Sequence, residues 1–513
     1  MSPGEASRFL MQASFGPTVE EIARVQQIGC AAWIDDQLTK PAQRHLPVLL
    51  AQQPSASNGR YFNDRRKFVW WQQSVTAADQ LRQRVAYAWS QIFVISDKST
   101  DAFTSYTDAM CDYYDTLLVN GLGNFRDLLR SVTYHACMGV YLDYLGNEKS
   151  DSNRKVDAGA RRPDENYARE VMQLFTIGLH QLNPDGTPQL KDGQLIPTYD
   201  NEDVREMARV FTGMHYAGHE TNWRWGPVQM LKPLQVYRDY HDPFRKVLLG
   251  GLKILPKYQD PAKDIDDALD CLFEHPNTPP FVCRFLIQRF TTSNPSRAYL
   301  SRVAQVFVDN GTGVRGDLSA VIRAILLDPE ARQTGDNPDT GKEREPYLRL
   351  VALVRAFNGK TNNKDGIFEV AYLDDLVGQE PGSAPSVFNF YQPDYAPPGP
   401  IASAGMVAPE FQITDAVTCV SLPNFLRDCI YHGSIGRYGA NILLDFSQEN
   451  QLATKPGLLM ERLSLILTGD RMSAGTRAII RGAVEQISSW KPADRVKLAV
   501  YLTSICAESA VQP

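Results

Sequence analysis

The sequence predicts a mainly α protein: one large helical domain with a small β-hairpin excursion and long ordered loops. Three observations point there. Apolar residues recur at three-and-four spacing through most of the 513 residues. Residues suited to N-capping stand in front of those runs. A single segment, 179–199, changes instead to short alternating runs between turn signals.

In chain order, residues 3–13 and 18–39 read as helices, split by the turn Phe15-Gly16-Pro17. Thr18 stands as N-cap with Glu21 three residues on, the capping-box pattern. A helix over 76–96 puts Leu81, Val85, Trp89, Ile92 and Phe93 on one face. Another spans 105–119. Asn124 caps a third, running to about Tyr144 with Phe125, Leu128, Leu129, Val132 and Leu142 inward. Residues 148–164 carry five basic and four acidic side chains with Gly159 and Pro163, which reads as a surface loop. A helix follows over about 164–177 and stops at Gly178 in the C′ position. Asn183-Pro184-Asp185-Gly186 and Asp192-Gly193 are the turns of the hairpin excursion, and Asn201 caps a helix over 202–212. Residues 214–262 are aromatic and irregular. Helices resume at 263–274, 278–293, 296–310, 317–328 and 345–358, and again near 411–431 and 455–511.

This organisation divides into a main helical domain over 1–375, a Pro-, Gly- and Ser-rich loop over 376–410, and a C-terminal helical segment over 411–513 packed on the main domain. The loop exceeds ordinary connector length, which points to function or to docking on another lobe.

Composition removes several classes. Hydrophobic residues at 43% and charged residues at 22% exclude a disordered chain. A balance of 53 basic against 59 acidic residues lacks the basic excess of a nucleic-acid binder. No run reaches 18 uninterrupted apolar residues, so no membrane span is expected. No signal-peptide pattern opens the chain, which enters a helical pattern at once, as a trimmed domain would. None of the eight cysteines forms a CxxC, so they read as small buried hydrophobes. Cys419 and Cys429, either side of Pro423, are the pair a loop could close.

The densest chemistry lies between Pro163 and Thr176. At 100° per residue, Asn166, Arg169, Glu170 and Gln173 share one face, and Tyr167, Val171, Leu174 and Phe175 the other. The polar face contains no Lys and mixes amide, carboxylate and guanidinium, which suits a hydrogen-bonded network. Glu165 and Glu170 lie toward the helix start, where ionised carboxylates are favoured. Asp143 and Asn147 end the preceding helix, so Asp143, Asn147, Glu165 and Glu170 are expected to converge at one corner. Such a set can serve as an acid/base pair on a sugar or hold a hard cation of the Ca²⁺ type. Asp203 opens the next helix. His241-Asp242 with Lys246 is the strongest histidine candidate. His215 and His219 are four apart, but Gly213 and Gly218 argue against the helix a metal pair would need. Motifs for a zinc protease, a hydrolase elbow and a dinucleotide fold are missing. Trp223, Trp225, Tyr237 and Tyr240, and separately Asn389 and Tyr391 in Phe388–Tyr395, place flat rings beside polar groups. Sugar-binding grooves use that combination.

Six ordered stretches give the chain a resemblance: Ala6–Pro17; Glu165-Asn-Tyr-Ala-Arg-Glu170 with Leu174–Gly178; Asp203-Val with Phe211-Thr-Gly213; His241-Asp242 with Lys246 and Leu249-Gly250; Gly341-Lys with Arg344-Glu-Pro346; and Ser386-Val-Phe-Asn389. On these it resembles the bacterial family catalogued as domain of unknown function 1800. The resemblance implies a mostly helical, exported bacterial protein, periplasmic or extracellular, whose signal precedes Met1. It supplies no reaction. The chain departs from it at Trp89-Ser90-Gln91-Ile92-Phe93, where relatives carry a Trp-His-Asn-His-like stretch, so no metal role of those histidines transfers.

The expectation is an exported hydrolase, glycoside hydrolase-like, acting on a carbohydrate-type polymer with no required cofactor. Its catalytic residues are Glu165, Glu170, Asp203 and His241. Asn166, Arg169, Asp143, Asn147, Trp223, Trp225, Asp242, Asn389 and Tyr391 bind substrate. The other reading is a non-catalytic surface binding or assembly protein whose polar corner holds structural Ca²⁺.

Overall fold

Helix starts are written into the sequence as capping side chains, and the computed structural model realises most of them. It describes residues 1–52, 61–99, 101–150, 162–223, 225–333, 340–432, 435 and 442–512. Ser2 and Glu5 close a reciprocal capping box ahead of Pro3–Ala13. Thr18 accepts from Glu21 N at 3.2 Å, but the Glu21 carboxylate goes to Trp33 Nε1 at 2.7 Å instead of closing the box. Asn124 caps its helix through Arg126 N at 2.9 Å.

Helices make up 54% of the described residues, whose strands are confined to two-stranded sheets. Asp192 and Gly193 both take positive φ, 53° and 78°, and join Leu190–Lys191 to Gln194–Leu195. Two such residues in a two-residue loop match the twist of the paired strands.

Several expected elements are shorter. The 76–96 segment forms a helix only over Gln80–Ser90, after Asp64–Thr76. The 124–144 segment breaks at His135 into Phe125–Thr133 and Ala136–Tyr141, because the His135 ring caps the second helix through Cys137 N at 3.1 Å. The 164–177 segment is helical over Asn166–Gln173, and a wider turn then runs to Gly178. Leu174 is therefore only half-buried, while Phe175 is fully buried. Asp200, not Asn201, caps Asn201–Val210, its carboxylate accepting from Glu202 N and Asp203 N. The charged loop expected at 148–164 lies largely outside the described residues.

The chain continues as helix over Thr418–His432 straight through Pro423. Ten residues of helix separate Cys419 and Cys429 by roughly 15 Å, beyond disulfide reach. All eight cysteines are free.

The chain forms two units. The first comprises Met1–Ala88, Leu286–Pro295 and Arg323–Pro513; the second comprises Trp89–Phe285 and Ser296–Ile322. Both the 376–410 loop and the 411–513 helices belong to the first. Its core includes the rings of Phe15, Trp70, Trp71, Tyr87 and Tyr347. The second is built around Trp89, Phe93, Phe125 and Phe307, continuing through Phe175 and Tyr167 to Phe211. No helix among the described residues is long and apolar enough to cross a membrane.

Candidate functional site: the Glu170 corner

The apolar side of Asn166–Gln173 positions its polar side. Tyr167 is buried, its ring 4.2 Å from Tyr144 and 4.8 Å from Phe211, and its hydroxyl bonds Thr133 Oγ1 at 2.7 Å. Those contacts fix the helix rotation and hence the direction of Asn166, Arg169 and Glu170. The helix entry is tied to the preceding corner. Asn147 brackets Asp164, accepting from its N–H at 3.0 Å and donating to its carbonyl at 3.3 Å. Asp164 Oδ1 accepts from Asn166 N at 2.7 Å, and Asn166 Nδ2 donates to Asp143 Oδ2 at 3.1 Å. Asp143 sits at φ 60°, a left-handed conformation that Asp tolerates better than most residues. Hydrogen bonds therefore link Asp143 to Asn147 through Asn166 and Asp164, whereas among the described residues Glu165 pairs with Arg169 and neither Glu165 nor Glu170 bonds to Asp143 or Asn147.

Glu170 is 8% exposed, and its Oε2 is buried without a hydrogen-bond partner. Burial raises its pKa, with the positive charge of Arg169 opposing. Arg169 does not bond it but donates to Glu165 Oε2 at 3.2 Å, one turn back, where both side chains are 41% exposed. Two tyrosines that the sequence reading missed feel Glu170. Burial and the Glu170 charge push Tyr141 up to about 12. Burial raises Tyr199 also, and its hydroxyl reaches Gln173 Oε1 at 3.5 Å. Neither stands at helical spacing from Glu170, so periodicity could not have found them.

Asp203 plays another part. It accepts from Asp200 N at 3.1 Å and from Gly250 N at 2.8 Å, so it caps a helix and anchors a loop. His241 and Asp242 lie in a buried ionic network. His241 sets Nδ1 against Thr212 O at 2.9 Å and Nε2 against Asp264 Oδ2 at 3.0 Å. Lys246 reaches Asp264 Oδ2 at 2.7 Å, and Arg209 grips both Asp242 oxygens at 3.0 Å.

The aromatic segment attaches to the corner through residues 147–149. Gly213 N donates to Asn147 O at 2.7 Å, and Lys149 N to Tyr240 O at 2.8 Å. A Cβ on Gly213, at φ 79°, would stand 2.7 Å from Tyr237 O, so only glycine allows this approach. Trp223 Nε1 donates to Glu148 Oε1 at 2.9 Å, and its ring stacks on Tyr240 at 3.9 Å and 8°. Trp223 is buried, whereas Trp225 is 84% exposed. His215 and His219 stack at 3.9 Å. His219 faces the carbonyls of Trp223 and Pro227, while His215 Nδ1 accepts from Tyr216 N. Burial, with His219 adding, lowers His215 to about 4. Among the described residues no group of three or more His, Cys, Asp or Glu is placed to hold a metal ion.

The family model described as "Protein of unknown function (DUF1800)" matches residues 8–508. The chain belongs to that family. No curated protein and no solved structure matches it.

The motifs that suggested DUF1800 fall in both units. Glu165–Glu170 forms the corner and His241–Lys246 the ionic network, both in the second unit. Gly341–Pro346 and Ser386–Asn389 belong to the first. There Asn389 and Tyr391 are 6% and 1% exposed, and Tyr391 lies under the Arg289 guanidinium at 4.4 Å. Tyr391 sits within a buried charged cluster that the sequence reading did not single out: Arg84, Arg289, Lys342, Glu345 and Glu410. The one signal for it was the charge run before Pro346.

Proposed function

We propose that this DUF1800 protein is an exported hydrolase acting on a carbohydrate-type polymer, with Glu170 as its general acid. The observation that carries the reading is the Glu170 carboxyl, buried, raised in pKa and with Oε2 unpartnered. Asp203, Asp242 and Asp264 in the same unit are paired; this carboxyl has a free oxygen and a proton held more tightly than usual. That suits protonation of a departing glycosidic oxygen. On a helix, Glu165 and Glu170 are about 140° apart, so they do not form a facing pair. Asp143, exposed and held by Asn166, is the better second carboxylate. Trp225 offers an exposed ring, and segment 147–149 links its neighbourhood to the corner. Export is compatible with free thiols because most are buried, with pKa values raised by burial, to about 11 at Cys271.

The test is a polysaccharide panel screened with wild-type protein and Glu170→Gln. Release of reducing ends by the wild type, lost in the variant without loss of fold, supports the reading. Equal activity in both sinks Glu170 as the acid. Binding of a polysaccharide without cleavage favours the non-catalytic alternative.

A further inference from the structure

We propose that His219 is a pH-operated clasp on the aromatic segment of the second unit: with both ring nitrogens protonated it ties the backbone at Trp223 and Pro227 together, and on losing one proton it releases one of the two. The segment leaves the strand Met214–His215 and returns at Gln235–Val236, which pairs with it, so both of its ends are anchored. Inside it His219 is 3% exposed. Its Nδ1 lies 2.8 Å from Trp223 O, and its Nε2 lies 3.1 Å from Pro227 O. A Cβ on Gly226 would stand 2.4 Å from the imidazole, so the ring packs directly on backbone there.

Carbonyl oxygens only accept. A neutral imidazole carries one N–H and one lone pair, so it serves one of the two carbonyls and turns a lone pair toward the other. The imidazolium donates to both. The observed arrangement is therefore the one a protonated His219 holds, and by linkage the loop and the proton stabilise each other. The groups around the ring leave the titration to His219. His215 stacks on it at 3.9 Å, but His215 Nδ1 accepts from Tyr216 N at 2.8 Å and so carries a lone pair. Burial, with His219 adding, lowers His215 to about 4, which makes the stack imidazolium on neutral imidazole rather than two like charges. Tyr237 Oη accepts from His219 N at 2.9 Å, and burial raises its pKa. Burial also pushes Tyr216, its ring 6.0 Å from His219, up to about 12, so both phenols stay neutral. Of the acids in these segments, Glu220 is exposed and Glu148 accepts from Trp223 Nε1. Lys232, Arg238 and Asp239 are exposed. The clasp holds Trp223 through its carbonyl, and Trp225 lies between the two tied carbonyls, so release frees the backbone that carries both indoles.

The test follows the full chain from about pH 5 to about pH 8, the range in which histidine changes charge. In protein with ¹⁵N-labelled histidines, the His219 ring, identified by its absence in His219→Gln, should show both nitrogens protonated at the acid end and one at the other. Amide exchange over 219–227, corrected for its intrinsic pH dependence, should quicken roughly 2- to 10-fold across that range, the worth of one lost hydrogen bond. It should be independent of pH in His219→Gln, whose amide gains no proton. If that variant fails to fold, selective irradiation of the Trp223 and Pro227 carbonyl carbons in labelled wild type assigns the ring, and its titration against wild-type exchange still decides. A His219 ring in one protonation state throughout, wild-type exchange that does not respond to pH, or a response that persists in His219→Gln each overturns the proposal.

Discussion

Two buried acidic regions of the second unit differ in one respect. Asp264 is 2% exposed, Asp242 5% and Glu170 8%, so desolvation bears on all three. Around Asp264 every strong partner is present: Lys246 at 2.7 Å, His241 at 3.0 Å and Gln259 Nε2 at 2.8 Å. Lys246 also donates to Asp242 O at 2.6 Å and Phe244 O at 3.2 Å, which uses its three protons. Burial would raise Asp264 and Asp242, but hydrogen bonds from His241 and Lys246 to the one, and from Arg209 and Phe244 N to the other, hold both below the usual range. Glu170 has no such partner and shifts upward. Burial of similar degree thus produces opposite shifts, and pairing decides the sign. A fully paired set has no capacity left for a ligand, and its role is to hold the fold. An orphaned carboxyl keeps that capacity.

The largest expected effect comes from breaking the paired set. Asp264→Ala leaves Lys246 buried without its carboxylate and should cost about 3–5 kcal/mol. A drop in denaturant midpoint with an unchanged slope checks it, and a loss under 1 kcal/mol would mean water already screens the network. Phe175→Ala probes the apolar floor beneath Glu170. Its ring is 5.0 Å from Phe93 and fully buried, so about 3–5 kcal/mol should be lost. Leu174→Ala, half-buried, should cost clearly less. Equal losses would show that the turn after Gln173 repacks.

What the sequence disclosed follows the range of the interactions involved. Capping by Thr18 and Asn124 and the Asp192-Gly193 turn depend on a few residues near a break. Such patterns are visible in a string. The pairing of His241 with Asp264 spans 23 residues and crosses from an irregular segment to a helix. No periodicity encodes it, so His241 read as a catalytic candidate when its ring is spent on structure. Asp203 misled for a related reason: its acid neighbours announced a helix start, but its second bond, to Gly250 N, is remote. Asn389 and Tyr391 looked like groove residues because their segment is irregular, yet both are buried, Tyr391 beneath the Arg289 guanidinium. The break at His135 escaped because an imidazole cap resembles any other His in an apolar run.

A smaller effect separates the two regions by pH. The Glu170 pKa is raised in the folded state, so whatever the folded protein gains from its proton is present below the unfolded value, near 4.5, and is lost as pH rises through the folded value. Asp264, lowered from 3.8, behaves oppositely: its contribution is present above the unfolded value and lost as pH falls through the folded one. Glu170→Gln should therefore melt at the same temperature as wild type in acid and at a higher one near neutrality, while losing the proposed hydrolytic activity. A lower melting temperature at neutral pH would mean that the carboxylate makes a stabilising contact, which would turn Glu170 into a second structural acid.

The smallest expected change in stability belongs to Trp225→Ala. The ring is 84% exposed, so removing it should alter stability by no more than about 0.5 kcal/mol. Trp223, two residues earlier, is the contrast: it is stacked on Tyr240 and bonded to Glu148, and neither face is open to a ligand. If the corner takes a sugar polymer, Trp225 is the most exposed ring of this segment to stack on it. Loss of one such contact should weaken polysaccharide binding roughly 2- to 10-fold. Affinity electrophoresis of wild type and Trp225→Ala in polysaccharide-containing gels measures this directly. Unchanged retardation with unchanged melting would remove the aromatic segment from the site and leave Glu170 to be explained by the helix corner alone.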